Sequence, residues 1–305
     1  MKGLRAFLKD YFLIRISGLK NQTAWIVGRG ILILLISGLV GATLVRLAPG
    51  FGTDERVLDP RLSSRTLESI EREHVAEQNP LTFYVRFVGG LLRGDAGRSV
   101  VFAQPVGPLI GERAPRTFHS VVAGLGYGWS TAILLAAAAT LSRRAVTLLA
   151  AMAVNGSLLS IPSAVLAAVC LFWRLSPSIA IAAVVFPRIF PNAYEHFRTS
   201  LTVPHVMAAR ARGLPATRIF LFHVVPSALM PLVALGGVSV TLAFGASIPV
   251  EALADSAGIG QLAWQAALGR DLPVLVTVTL LLTAITIAAN VIADLVLTRL
   301  GRHTA

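Results

Sequence analysis

The chain has 305 residues, of which 55% are hydrophobic and only 14% charged. A soluble domain of this size carries about 25% charged residues, so the deficit points to a bilayer as solvent and away from a water-soluble enzyme. The formal net charge of +12 does not signal nucleic acid. The basic residues are scattered through connections between apolar runs, without an aromatic-interleaved stripe, and basic connections beside membrane spans account for them.

In chain order, residues 1–25 form a basic, amphipathic cytoplasmic segment (Lys2, Arg5, Lys9, Arg15, Lys20). Leu4, Phe7, Leu8, Tyr11 and Ile14 fall near one helical face, which suits either an interfacial helix on the inner leaflet or a basic tail. The apolar run from Trp25 to Leu47 is longer than the ~7–15 residues of a signal-peptide core, so residues 26–46 are expected to be an uncleaved first span. Residues 47–116 are the soluble-looking, extracytoplasmic stretch. A helix is expected over 61–78, and an amphipathic piece over 79–94 places Leu81, Tyr84, Val85, Val88 and Leu92 at helical spacing.

Crossing about 30 Å of hydrocarbon takes roughly 20 apolar residues. Residues 117–141, 145–173, 224–250 and 273–298 meet that length, and 177–190 is a weaker sixth candidate, interrupted by Pro187 and Arg188. With six spans and both termini cytoplasmic, the basic segments all fall inside, with Asp10, Glu195 and Asp294 as their only acids. The short outer connections then hold Arg174 and Arg270 beside Glu251, Asp255 and Asp271, which satisfies the positive-inside bias. The expected fold is all-α integral membrane.

Enzyme chemistry is not encoded. A phosphate-binding loop of the Gly-Lys-Ser/Thr type needs a lysine, and every lysine lies at or before Lys20. The glycines at 124, 126 and 128 sit inside an expected span with no preceding strand, so they are read as small residues for close helix packing. Cys170 cannot form an intrachain disulfide, and the histidines show no metal-ligand spacing. No catalytic residue, cofactor or metal is expected.

The informative cytoplasmic stretch is 198–223. Met207-Ala208-Ala209-Arg210-Ala211-Arg212 reads as a short helix of small residues, Gly213-Leu214 as a turn, and a second helix runs to Pro226. Small residues at a helix end permit close approach to another protein, and Gly213 allows a left-handed turn. The stretch resembles the EAA coupling loop of ABC-importer permeases: three residues, a glycine, then a closing proline. Aligned on Gly213, the triplet falls on Met207-Ala208-Ala209 and the closing proline on Pro226. Met207 stands where the general pattern has glutamate.

Further pieces extend the resemblance to the dipeptide/oligopeptide/nickel permeases. Leu44-Val45-Arg46-Leu47-Ala48-Pro49-Gly50, Leu91-Leu92-Arg93-Gly94-Asp95-Ala96-Gly97-Arg98-Ser99 and Ile110-Gly111-Glu112-Arg113-Ala114-Pro115-Arg116-Thr117 follow in family order. So do Glu251, Gly258-Ile259-Gly260-Gln261-Leu262, Arg270-Asp271-Leu272-Pro273 and Asn290 with Asp294. Ala257 departs from the proline usual before Gly-Ile-Gly.

The resemblance implies a MetI-like permease core within residues 117–305, in a multi-pass protein of the bacterial inner membrane. It implies a second homologous permease subunit, cytosolic ABC ATPases docked on the coupling loop, and an extracytoplasmic solute-binding protein. It also implies uptake of peptides, nickel chelates or oligosaccharides. Glu251, Gly258 and Gly260 are candidates for a turn at the translocation mouth, the glycines otherwise being plain loop residues. Asn290 and Asp294 share a helix face and are read as structural or interfacial. The rival reading is an ATP-independent secondary transporter or a membrane scaffold.

Overall fold

The computed structural model describes residues 28–44, 80–142 and 145–303. The expected N-terminal interfacial helix, the helix over 61–78, most of the 44–50 motif and the Arg143-Arg144 turn fall outside them. Among the described residues the fold is helical, with one isolated antiparallel bridge between Arg98 and Pro105 and no strand. The helices are α1 (Gly28–Leu44), α2 (Pro80–Leu91), α3 (Val106–Ser142), α4 (Ala145–Ser160), α5 (Ser163–Phe172), α6 (Pro177–Ser200) and α7 (Pro204–Ala211). They continue with α8 (Ala216–Leu253), α9 (Ile259–Leu268) and α10 (Leu272–His303).

Three described helices, α3, α8 and the Leu272–Arg299 part of α10, are long and apolar enough to cross a membrane. α4 and α5 add a fourth if taken together, and α1 is a shorter apolar helix. Their outward faces carry Ile31, Leu32, Val122, Leu134, Val146 and Leu149, all exposed in the isolated chain. So much exposed apolar surface suits lipid or a partner and not water, and the chain is a multi-pass membrane protein.

Three expectations are corrected in detail. Residues 145–173 are not one straight span: α4 and α5 meet at 101°. Pro162 starts the new helix, lacking the N–H that would continue the old one. The helices expected over 117–141 and 224–250 extend well beyond their apolar runs, because α3 starts at Val106 and α8 at Ala216. On α2, the buried side chains are Tyr84 and Phe87, with Phe83, Val88 and Leu91 partly covered, while Leu81, Val85 and Leu92 point outward.

α6 forms the centre of the bundle. Ile181, Val185, Phe186, Ile189, Phe190, Ala193 and Phe197 are buried along one side of it, while Arg188, Asn192 and Glu195 are exposed on the other. Phe186 stacks on Phe190 at 5.6 Å, and Phe197 meets Phe220 of α8 edge-on at 5.0 Å. The α3–α6 contact is close because Gly124 and Gly128 present bare backbone. A Cβ at Gly124 would lie 2.9 Å from the Ser178 carbonyl oxygen, and one at Gly128 3.3 Å from that of Ala182. This is the small-residue helix packing of membrane bundles. Trp129 Nε1 of α3 donates to Ser239 Oγ of α8 at 3.0 Å.

The connection between α2 and α3 is fixed from a distance. Gly94 and Gly97 take positive φ values of 84° and 78°, and the Gly97 amide donates to Asp95 Oδ1 at 2.9 Å. Ser99 donates its hydroxyl to Asp271, whose carboxylate also accepts from the Val101 amide at 3.1 Å. Asp271 immediately precedes α10, so one buried side chain holds both the start of α10 and the loop before α3.

Candidate functional site

Two groups of residues singled out in the sequence are brought into defined geometry, at the start and near the end of α8. The first is the segment from α7 into α8. Pro204 opens α7, as a proline does at a first helical position. Val206 and Ala209, three residues apart, face inward and are buried, whereas Met207 (57% exposed), Ala208, Arg210, Ala211 and Arg212 lie outward. Gly213 ends the turn at φ +75°, in the left-handed region that a side chain disfavours by about 1–2 kcal/mol. Leu214 is half-buried and lines a cavity of about 190 Å³ with Thr140 and Leu141 of α3, Leu201, Arg210, Ile219 and Phe220. The short helix packs on the start of α8, with this cavity between it and the end of α3.

Pro226 sits inside α8 and would break an ordinary helix there, because its ring clashes with the carbonyl four residues back. A π-helical turn over Phe220–Val224 precedes it, widening the backbone so that α8 continues. Beside this turn, His205 of α7 and His223 of α8 stack at 6.5 Å, and His205 Nε2 lies 3.1 Å from Ser227 Oγ. Ser227 donates to the His223 carbonyl at 2.8 Å, so the contact requires His205 Nε2 to be the donor. The sequence reading missed this brace, since no metal or catalytic spacing joins residues 205, 223 and 227.

The second group surrounds Glu251, in the last turn of α8 and 0% exposed. Its Oε2 accepts from Thr117 Oγ1 of α3 at 3.0 Å and from the Gly260 amide at 2.7 Å, while Thr117 Oγ1 accepts from the Ile259 amide at 2.7 Å. Oε1 has no partner. Gly258 and Gly260 both lie within this knot, and both are needed for lack of space. A Cβ at Gly258 would run into the Glu251 carboxylate and lie 2.5 Å from Thr117 Oγ1; one at Gly260 would lie 2.5 Å from the Ser247 carbonyl oxygen. Next to the knot, Arg113 donates to Gln261 Oε1 at 3.1 Å, and Gln261 Nε2 donates to Asp255 Oδ1 at 2.6 Å. Thr117 was legible only as part of a motif string, because its partner lies 134 residues away.

Asn290 and Asp294 of α10 share a cavity of about 760 Å³ with Arg29 and Ile33 of α1 and Thr241 and Phe244 of α8. The cavity thus brings the two residues together on one face of α10. Among the described residues, no cluster of three or more His, Cys, Asp or Glu could hold a metal ion.

Residues 122–305 match the family described as "Binding-protein-dependent transport system inner membrane component". The chain is 26% identical over 300 residues to a putative peptide transport system permease protein of Brucella abortus, covering 89% of this chain and 95% of that one. It is 21% identical over 306 residues to the oligopeptide transport system permease protein AppB of Bacillus subtilis, covering 90% and 96%. Against the glutathione transport system permease protein GsiC of Salmonella typhimurium the identity is 26% over 281 residues, covering 86% and 91%. The match contains both α7 and the Glu251 turn, and with the helical membrane fold it places this chain in the binding-protein-dependent transport system inner membrane component family, among the ABC-importer permeases of the peptide/nickel group.

Proposed function

We propose that this chain forms half of the translocation pathway of an ABC importer for peptides or a similar small solute, such as a nickel chelate or an oligosaccharide. In this reading it lies in a bacterial inner membrane with six spans and both termini cytoplasmic, residues 47–116 forming an outer segment. A homologous permease supplies the other half of the pathway, a solute-binding protein delivers cargo at the outer face, and separate cytosolic ATPases hydrolyse ATP. The observation that carries the proposal is the geometry of α7. A short helix with exposed Met207, Ala208, Arg210 and Arg212 is fixed at one end by Gly213 and continues directly into α8.

The role of α7 in this scheme is mechanical. Its outer surface fits a groove on an ATPase, small residues allowing close approach and Arg210, Arg212 and Arg218 forming a charged rim. Displacement of that groove moves α7, and the turn at Gly213 hands the movement to α8. Glu251, Gly258 and Gly260 would form the translocation-mouth turn at the other end of the same helix.

The test combines purification and mutation. A tagged chain drawn from its native membrane in mild detergent should bring down a second permease and one or two ATPase chains. Gly213→Pro, which cannot adopt the observed positive φ, should insert normally yet abolish ATP-dependent uptake. Normal uptake by that variant would sink the coupling role of this loop, and recovery of the chain alone would favour an ATP-independent transporter or a scaffold.

A further inference from the structure

The first turn of α9 is capped entirely by other helices. Its own N-cap position is Gly258, which offers no side chain. The Ile259 amide donates to Thr117 of α3 and the Gly260 amide to Glu251 of α8. First-turn amides are otherwise left unpaired and carry the positive end of the helix dipole. A carboxylate answers both needs, since it is an acceptor on every lone pair.

Glu251 is a costly choice for a buried position. It is wholly buried, its partners are a hydroxyl and a backbone amide, and Oε1 is unsatisfied. Burying an ionisable group without a counter-ion is unfavourable, so simple packing does not explain it. Its neighbours do. α9 is pressed onto the α8 backbone at Gly260, where no Cβ fits beside Ser247, and Gly258 leaves space for the carboxylate itself. Thr117 serves twice, donating to Glu251 and accepting from Ile259.

We propose that Glu251 is a positioning residue that clamps the 258–260 turn and the start of α9 to the end of α8, with Thr117 linking the clamp to α3. The turn therefore keeps its place only while α3 and α8 hold their present spacing. Because α8 runs as one helix from residue 216 to residue 253, through the π-turn and with Pro231 and Pro249 inside it, a shift of α8 that starts at the α7 end carries the turn with it. This last, mechanical step rests on the importer reading above, whereas the clamp does not.

The clamp is tested by cysteine protection in the full chain, in native membranes, after replacing the lone Cys170 by serine. A reporter is placed at the buried Ile259 (Ile259→Cys) and a control at Ile181 in the bundle core (Ile181→Cys). A water-soluble maleimide is applied to both membrane faces. Glu251→Ala is expected to speed labelling at 259 by at least about tenfold, equivalent to about 1.4 kcal/mol of local opening, and to leave 181 protected. Thr117→Val should act in the same direction, Thr117→Ser should stay close to the parent chain, and Glu251→Gln, which keeps an acceptor but not the charge, should fall between the parent and Glu251→Ala.

Unchanged protection at 259 in Glu251→Ala overturns the clamp. Equal exposure of 259 and 181 also overturns it, by making Glu251 a general core residue, as does a Gln variant no better than Ala. Uptake measured in parallel should fall with the loosened turn, and wild-type uptake with the turn released would overturn the mechanical step. Failure of the importer reading would appear separately, as absence of ATPase-dependent uptake in the parent chain.

Discussion

Adding one methyl group has opposite consequences at two glycines of α3 and the α9 turn. At Gly258 the new Cβ would meet the Glu251 carboxylate and Thr117, whereas at Gly126 it meets nothing within 4 Å among the described residues. Gly258→Ala should therefore destabilise the purified protein by about 1–3 kcal/mol, the cost of overpacking. Gly126→Ala should raise stability by about 0.5–1 kcal/mol through helix propensity. Thermal unfolding in detergent, with both variants side by side, checks the contrast; equal melting points would refute it. The sequence assigned a left-handed turn to Gly213, close packing to Gly124, Gly126 and Gly128 together, and a turn to Gly258 and Gly260, without telling Gly126 from its neighbours. The backbone puts Gly213 at a positive φ, and the tertiary contacts separate the glycines required for close approach at Gly124, Gly128, Gly258 and Gly260 from the replaceable one at Gly126.

Among the elements, hydropathy read best where a helix faces outward and worst where protein surrounds it. α3, α8 and α10 were plain from their apolar runs, but α6, the weak candidate at 177–190, is packed along one side into the bundle core. A helix that meets other helices on one side and carries Arg188, Asn192 and Glu195 on the other has no need of a uniformly apolar surface. The break at Pro162 was present in the sequence as a single proline but was lost in a long apolar average. The geometry around 213 was legible because glycine and small residues have local meanings; the Glu251 knot was not, because it joins three separate helices. For α10, the decisive element is Asp271. Asp271→Ala removes the acceptor for Ser99 and Val101 and the side chain at the helix start, and should cost about 1–3 kcal/mol. Asp271→Asn should retain part of this, and protease sensitivity of the 92–105 loop reports the difference. An alanine variant as resistant as the parent would show that the loop is held by other contacts.

For the whole molecule, charge distribution and helix placement make a prediction about sidedness. Leu92 is 85% exposed beyond α2, and Arg212 is exposed at the end of α7. In a Cys170→Ser background, Leu92→Cys should react with an impermeant maleimide only from outside the cell and Arg212→Cys only in inverted vesicles. Reaction of both from one face would refute the six-span topology. The 101° bend between α4 and α5 has a different consequence. The 16 residues of α4 rise about 24 Å at 1.5 Å each, short of the ~30 Å needed to leave the hydrocarbon. Lipid cannot hydrogen-bond the backbone groups freed by such a break, so non-helical backbone at that depth must be covered by protein or line water. Ser160, Ile161 and Pro162 at the bend are exposed in the single chain. In the assembled protein this bend is therefore expected to face a partner subunit or a water-filled cavity.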